Sequence, residues 1–220
     1  MVLLVHHSIS PQSRKVRLIM AEKKMLFVLK EEEPWKLSQD ILDINPSGDL
    51  PVLVFDGKVV AGNYAVTEYL EESNPQYKLL PEEPVARAEV RRIMDWFDTK
   101  FFNEVYKYIV AEKIIKRFQL KQAPNSKILK AGLNNLKFHM EYIDYLADRN
   151  NYLAGKNLTL ADLTVAAHLS IIDYLGDIPW NDYKNAKLWY AKIKSRPSFK
   201  DILKDIRGIS PSANYSNLDF

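Results

Sequence analysis

Three short stretches carry groups whose type and spacing could do chemistry. The first is SISPQS at residues 8–13, which follows an apolar run and precedes an amphipathic one. A hydroxyl at Ser10, at the start of a helix, can hydrogen-bond an anion or a thiolate held near the helix N-terminus. Ser10 and Ser13 can equally act as plain caps, because serine oxygens accept the first unpaired N–H groups of a helix. The second stretch is LPVLVF at residues 50–55. Pro51 cannot donate to a sheet ladder, so it belongs at the start or the edge of a strand. It either stiffens that start or forms a cis Leu50–Pro51 bond that turns the backbone groups of Leu50 toward a ligand. The third stretch is AGNYAVTEYL at residues 61–70. Val66, Tyr69 and Leu70 have the i, i+3, i+4 spacing of one helix face. The start of that helix offers unpaired N–H groups and partial positive charge to an anion. Gly62, Asn63 and Tyr64 bring neither an acid nor a serine to it.

Other groups narrow the chemistry. Arg14 and Lys15 fall in the first turn of the first helix and oppose its dipole, so they either attract an anion or form solvated surface. His6, His7, His139 and His168 show no i, i+4 pairing, so packing is expected of them and a metal site is not. There is no G-x-S-x-G, no P-loop and no convincing pair of acids for hydrolysis. The absence of cysteine excludes disulfides, thiolate nucleophiles and cysteine metal sites. Trp96, Phe97, Phe101, Phe102, Tyr106 and Tyr108 read mostly as core, with off-stripe members free to line a cleft or a subunit interface. A net charge of +3, from 31 basic residues interleaved with 28 acidic ones, leaves no nucleic-acid footprint. No apolar stretch reaches the ~20 residues of a membrane span. The apolar run of MVLLVHHSIS is too short for a signal peptide, and a cytoplasmic address is expected.

The elements that must position these groups follow from periodicity. VLLV at 2–5 and LFVLKE at 26–31 read as strands on either side of a helix whose Val16, Leu18, Ile19 and Met20 lie among charges. LPVLVFDGKVV reads as a hairpin turning at Asp56-Gly57, and the AGNYAVTEYL helix closes a small α/β domain near Leu80. After PEEP at 81–84 the pattern turns helical. Val90, Ile93, Met94, Phe97, Phe101, Val105, Tyr108 and Ile109 form one stripe, and Ile128, Leu129, Leu133, Leu136, Met140 and Ile143 a second. Thr159 and Asp162 have the spacing of a capping box. Residues 208–220 have no helical period. Their Tyr215, Leu218 and Phe220 suit either a frayed tail or a segment that docks on its own domain or on a partner.

SPQSRKVRLIMAEK, INPSGDLPVLV, AVTEYLEESNP, LTLADLTVAAHL and RPSF, in this order over residues 2–204, resemble the successive signatures of the glutathione S-transferase superfamily. The resemblance implies an α/β thioredoxin-like N-terminal domain over 1–80, an all-α C-terminal domain over 86–205 and a tail over 206–220. It also implies a homodimer and a glutathione pocket in the N-terminal domain. Leu50 and Pro51 match the residue and the cis-proline that bind the peptide's backbone. Ser10 matches the serine that hydrogen-bonds the glutathione thiolate in many members. Gly62-Asn63 stand where the family usually has Glu-Ser, the acid anchoring the ligand's ammonium group and the hydroxyl gripping a carboxylate. Losing a charged contact typically costs about 1.5–3 kcal/mol, or roughly one to two decades of affinity. The pocket is therefore expected to keep its shape and to hold glutathione weakly or not at all, with no other cofactor.

The tail DIRGISPSANYSNLDF is similar to the C-terminal extension of glutathione-transferase-like cell-division proteins of bacteria, which are dimers that bind FtsZ filaments. Two functions follow. One is a dimeric, non-catalytic regulator that binds FtsZ, with Tyr215, Leu218 and Phe220 as partner-binding candidates. The other is a transferase that conjugates glutathione to small electrophiles, with Ser10 stabilising the thiolate.

Overall fold

Short apolar runs and one tight turn build a mixed sheet in the first of two units, Met1–Leu80. The computed structural model describes residues 1–205, 209–213 and 215–217. Strand β1 (Val2–His6) pairs in parallel with β2 (Phe27–Glu31), and helix α1 (Pro11–Glu22) connects them. The short helix α2 (Gln39–Ile44) leads to β3 (Val52–Phe55), which lies antiparallel to β1 and to β4 (Lys58–Ala61). The strand order is β2-β1-β3-β4. Asp56 and Gly57 have φ of 47° and 73°, and a two-residue turn with both central φ positive matches the twist of the strands it joins. Leu4, Val5, Val52 and Leu53 of the sheet are buried, as are Val16, Leu18, Ile19 and Met20 of α1 and Val66 and Leu70 of helix α3 (Asn63–Ser73).

The first turn of α1 narrows two sets of alternatives. Ser10, not Ser13, is the N-cap; Ser13 lies inside the helix, and its Oγ accepts from the N–H of His7 at 3.2 Å. Arg14 and Lys15 are not solvated surface, being 1% and 0% exposed. Arg14 Nε donates to the carbonyl of Ser8 at 2.7 Å, so this cation braces the turn that leads out of β1. At the other end of α1, buried Lys23 reaches the carbonyl of Tyr77 at 2.7 Å and the Glu71 carboxylate at 2.8 Å, joining that end to α3.

The second unit, Pro81–Phe220, is helical. Helix α4 (Pro84–Asp95) starts where Glu83 caps the N–H groups of Val85 and Ala86. It runs into wide π turns over Trp96–Tyr106 and Ala111–Ile115, interleaved with α5 (Lys107–Val110) and α6 (Lys116–Gln119). The sequence suggests an ordinary stripe here. The buried residues Phe97, Phe101, Val105, Ile109 and Ile114 instead recur at four and five, the step of a helix with i→i+5 bonding. Helix α7 (Ser126–Arg149) precedes α8 (Leu160–Tyr174), all of whose residues are buried. The Thr159–Asp162 capping box is formed at the start of α8. Asp162 also accepts from the N–H of Leu153 at 2.8 Å and from Trp189 Nε1 at 2.9 Å, so one carboxylate ties α8 to the preceding loop and to α9 (Lys184–Lys194). The short α10 (Lys200–Leu203) follows Pro197.

His139 and His168 pack in the core of this unit. His139 Nδ1 accepts from Trp96 Nε1 at 2.9 Å, which leaves the proton on Nε2, 3.2 Å from Glu104. Burial lowers the His139 pKa to about 4, despite the pull of Glu104. Among the described residues no helix is long and apolar enough to cross a membrane.

Candidate site at one end of the sheet

The strand register gathers the three stretches singled out in the sequence. Val5 lies opposite Val52, Val52 opposite Ala61, and His6 opposite Glu31. The chain leaving β1 toward Ser10, the chain arriving at β3 through Leu50–Pro51 and the chain leaving β4 through Gly62 therefore meet at one end of the sheet. The end of β2 lies there too. Helices α1 and α3 both begin close to this end, and neither has an acid in its first turn. Their unpaired N–H groups and aligned dipoles favour an anionic or peptide-like ligand.

Each group is held by local chemistry. Ser10 Oγ accepts from the N–H of Ser13 at 3.2 Å and donates to Gln12 Oε1 at 3.1 Å. The hydroxyl that would face a thiolate is thus engaged as a cap. The loop before β3 is pinned by Asn45, whose Nδ2 donates to the carbonyl of Asp49 at 2.7 Å and whose Oδ1 accepts from Ser47 at 3.1 Å. The Leu50–Pro51 bond that ends this loop is cis, the second of the two alternatives for Pro51. Gly62 caps α3 with φ 95° and ψ 136°, a region that side-chain-bearing residues avoid. A Cβ there would meet nothing within 4 Å, so backbone conformation rather than crowding calls for glycine. Asn63 is the first residue of α3, and its carbonyl accepts from Thr67 Oγ1 at 2.8 Å.

The sequence reading missed Glu31 and the groups that converge on it. Its carboxylate lies 2.7 Å from His7 Nδ1 and 3.2 Å from His6 Nε2, and it accepts from the N–H and Oγ of Ser8 at 2.9 and 3.1 Å. An ionised carboxylate only accepts, so each histidine nitrogen facing it carries the proton. His7 is also edge-on to Trp35 at 4.8 Å. The signal was present as His6 ending β1, His7 directly after it and a glutamate ending β2. Only the parallel register makes them neighbours. Among the described residues no such group is arranged to hold a metal ion.

The tail candidates lie in the second unit. Tyr215 is fully buried, edge-on to Tyr174 at 5.2 Å. The neighbouring Ser212 donates its N–H to the carbonyl of Tyr174 at 2.9 Å and its Oγ to that of Asp173 at 2.8 Å. Tyr174 in turn donates its hydroxyl to the carbonyl of Ile209. Tyr215 is therefore an anchor on the chain's own domain and is turned away from any partner in this arrangement. Leu218 and Phe220 lie outside the described residues. Beneath the tail, Lys194 pairs with Asp173 at 3.1 Å, and Trp180 and Tyr190 complete the carboxylate's bonds at 3.0 and 3.3 Å. Burial pushes the Asp173 carboxyl up and the Lys194 ammonium down.

Comparison with known proteins agrees with this architecture. Residues 9–73 match the glutathione S-transferase N-terminal domain and residues 111–205 the glutathione S-transferase C-terminal domain. The chain is 42% identical to FtsZ-localized protein A of Caulobacter vibrioides, over 99% of this chain and 97% of that protein. The solved structure of FzlA from C. crescentus superposes with a TM-score of 0.96 at 42% identity, covering 100% of this chain and 99% of that one. A structure described as a glutathione S-transferase from Rhodospirillum rubrum F11 superposes with a TM-score of 0.97 at 47% identity, covering 100% of each.

Proposed function

The chain belongs to the glutathione S-transferase superfamily, and on that premise we propose that it is a dimeric, non-catalytic partner of FtsZ filaments in bacterial cell division. The observation that carries this reading is likeness along the full chain: 42% identity over 99% of it to a protein named for its localisation to FtsZ. That span takes in the tail, which the matched transferase domains, ending at residue 205, do not include. The reading brings a cytoplasmic address and a homodimer with it, the dimer being the state the family implies.

The sheet-end site supports the same reading. Gly62 has no side chain to anchor an ammonium group, and Asn63 offers at most a neutral substitute for the family's serine. Ser10 spends its hydroxyl on Ser13 and Gln12. Glutathione, if it binds, is then a weak ligand.

One observation favours a second reading. The Rhodospirillum rubrum structure described as a transferase is 47% identical to this chain. In that reading Ser10 turns its hydroxyl to a bound thiolate and favours it as the nucleophile toward an electrophile. Pelleting with GTP-polymerised FtsZ tests the first function, and a calorimetric titration with glutathione tests the second. Millimolar or unmeasurable affinity, with aryl-halide conjugation at background, is expected. Low-micromolar affinity with turnover that Ser10→Ala abolishes would make the chain a transferase.

A further inference from the structure

Strand β2 is one edge of the sheet, and among the described residues only β1 pairs with it. A bare edge of this kind presents a row of backbone N–H and C=O groups that can template another strand. Natural edges are usually protected by charge, proline or a covering element. This one is not. Leu26, just before the strand, is 93% exposed, and Val28 and Leu29 within it are 46% and 39% exposed. Its one cation, Lys30, points its ammonium toward Asp40, 3.9 Å away. A hydrophobic edge left open in this way is either an aggregation hazard or a docking edge.

Charge indicates what it would dock. Residues 31–43, EEEPWKLSQDILD, hold five acids against one lysine. The strand therefore runs from an apolar start into an acidic end. An added strand lies most stably antiparallel, which places its N-terminal residues beside Glu32, which accepts from Ser38, and Glu33, which pairs with Lys36, while Glu31 is turned to His6, His7 and Ser8. We propose that the outer edge of β2 docks an extended segment of a partner protein with basic residues at its N-terminal end and alternating apolar residues behind them. Main-chain bonds to β2 supply affinity, Leu26 and Val28 on one face pack the apolar side chains, and the acidic end sets direction. This inference does not depend on the identity of the partner proposed above.

The test uses the full chain, isotopically labelled, and a capped synthetic peptide of about ten residues, long enough for one strand. The peptide has Arg-Lys at its N-terminus followed by alternating Val and Thr; a companion has Glu-Glu in place of Arg-Lys. The basic peptide should protect backbone amides within Phe27–Glu31 from hydrogen exchange and bind several-fold more tightly than its companion. Val28→Lys with Leu29→Lys should abolish binding, whereas Val59→Lys on the opposite edge, β4, should leave it intact. All these side chains are exposed, and circular dichroism checks that each variant folds. No protection of β2 at millimolar peptide, protection of β4 instead, or equal binding by the β2 variant would overturn the proposal. Self-association that the β2 variant removes would assign the edge to a second copy of this chain and overturn it as well.

Discussion

The ring of Tyr215 stands edge-on to that of Tyr174, with centroids 5.2 Å apart and planes at 87°, and its hydroxyl donates to the carbonyl of Ile202 at 3.2 Å. The tail thus contributes a core residue. Tyr215→Ala should destabilise the chain by about 3–5 kcal/mol, the range for deleting a buried aromatic ring. Tyr215→Phe should cost about 1 kcal/mol, the worth of one hydrogen bond. Urea unfolding of the two variants measures both. Wild-type midpoints for both would mean that the tail does not belong to the folded domain.

Gly62→Ala should cost about 1–3 kcal/mol although the new methyl group touches nothing, because the strain lies in the backbone. The same strain opposes Gly62→Glu. Gly62→Glu with Asn63→Ser should therefore raise glutathione affinity by less than the one to two decades of a regained charged contact. Calorimetry on the double variant, beside urea unfolding of Gly62→Ala, checks the pair of statements.

Much of this was legible in the sequence, for identifiable reasons. Strict local signals read correctly: the Asp56-Gly57 turn, the Thr159–Asp162 box and the apolar runs of β1 and β2 each depend on residues close in the chain. What was left open or missed depended on context. Arg14 and Lys15 look like surface because burial of a cation is decided by partners elsewhere in the fold. The π turns of 96–106 and 111–115 were hidden because spacings of four satisfy an α-helix almost as well. The Glu31 cluster needed the strand register, and the inward turn of Tyr215 needed Tyr174 of α8.

His139 makes stability depend on pH. In the unfolded chain it titrates near the ordinary 6.5, whereas burial holds it to about 4 in the fold. The folded pKa is depressed, so this contribution is present above 6.5 and is lost as pH falls from there toward 4. Protonation would also set a second N–H against the indole N–H of Trp96. At about 1.36 kcal/mol per unit the full loss is roughly 3 kcal/mol. His139→Gln should flatten the slope of unfolding free energy between pH 6.5 and 4; a slope equal to wild type would contradict the assignment.

Ser10→Ala removes the cap of α1. It should cost about 1 kcal/mol, read as a lower urea midpoint, whether or not the chain binds glutathione. An unchanged midpoint would mean that the Ser10–Ser13 bond contributes nothing to the fold, leaving the hydroxyl for a ligand.

The central claim is tested most directly by co-sedimentation with GTP-polymerised FtsZ from the same source. The full chain should pellet with the filaments and stay in the supernatant without GTP. Truncation after Arg207, shown by circular dichroism to be folded, should pellet less, because loss of Tyr215 loosens the surface that the tail covers. If the full chain stays in the supernatant whether or not filaments are present, the cell-division reading is wrong.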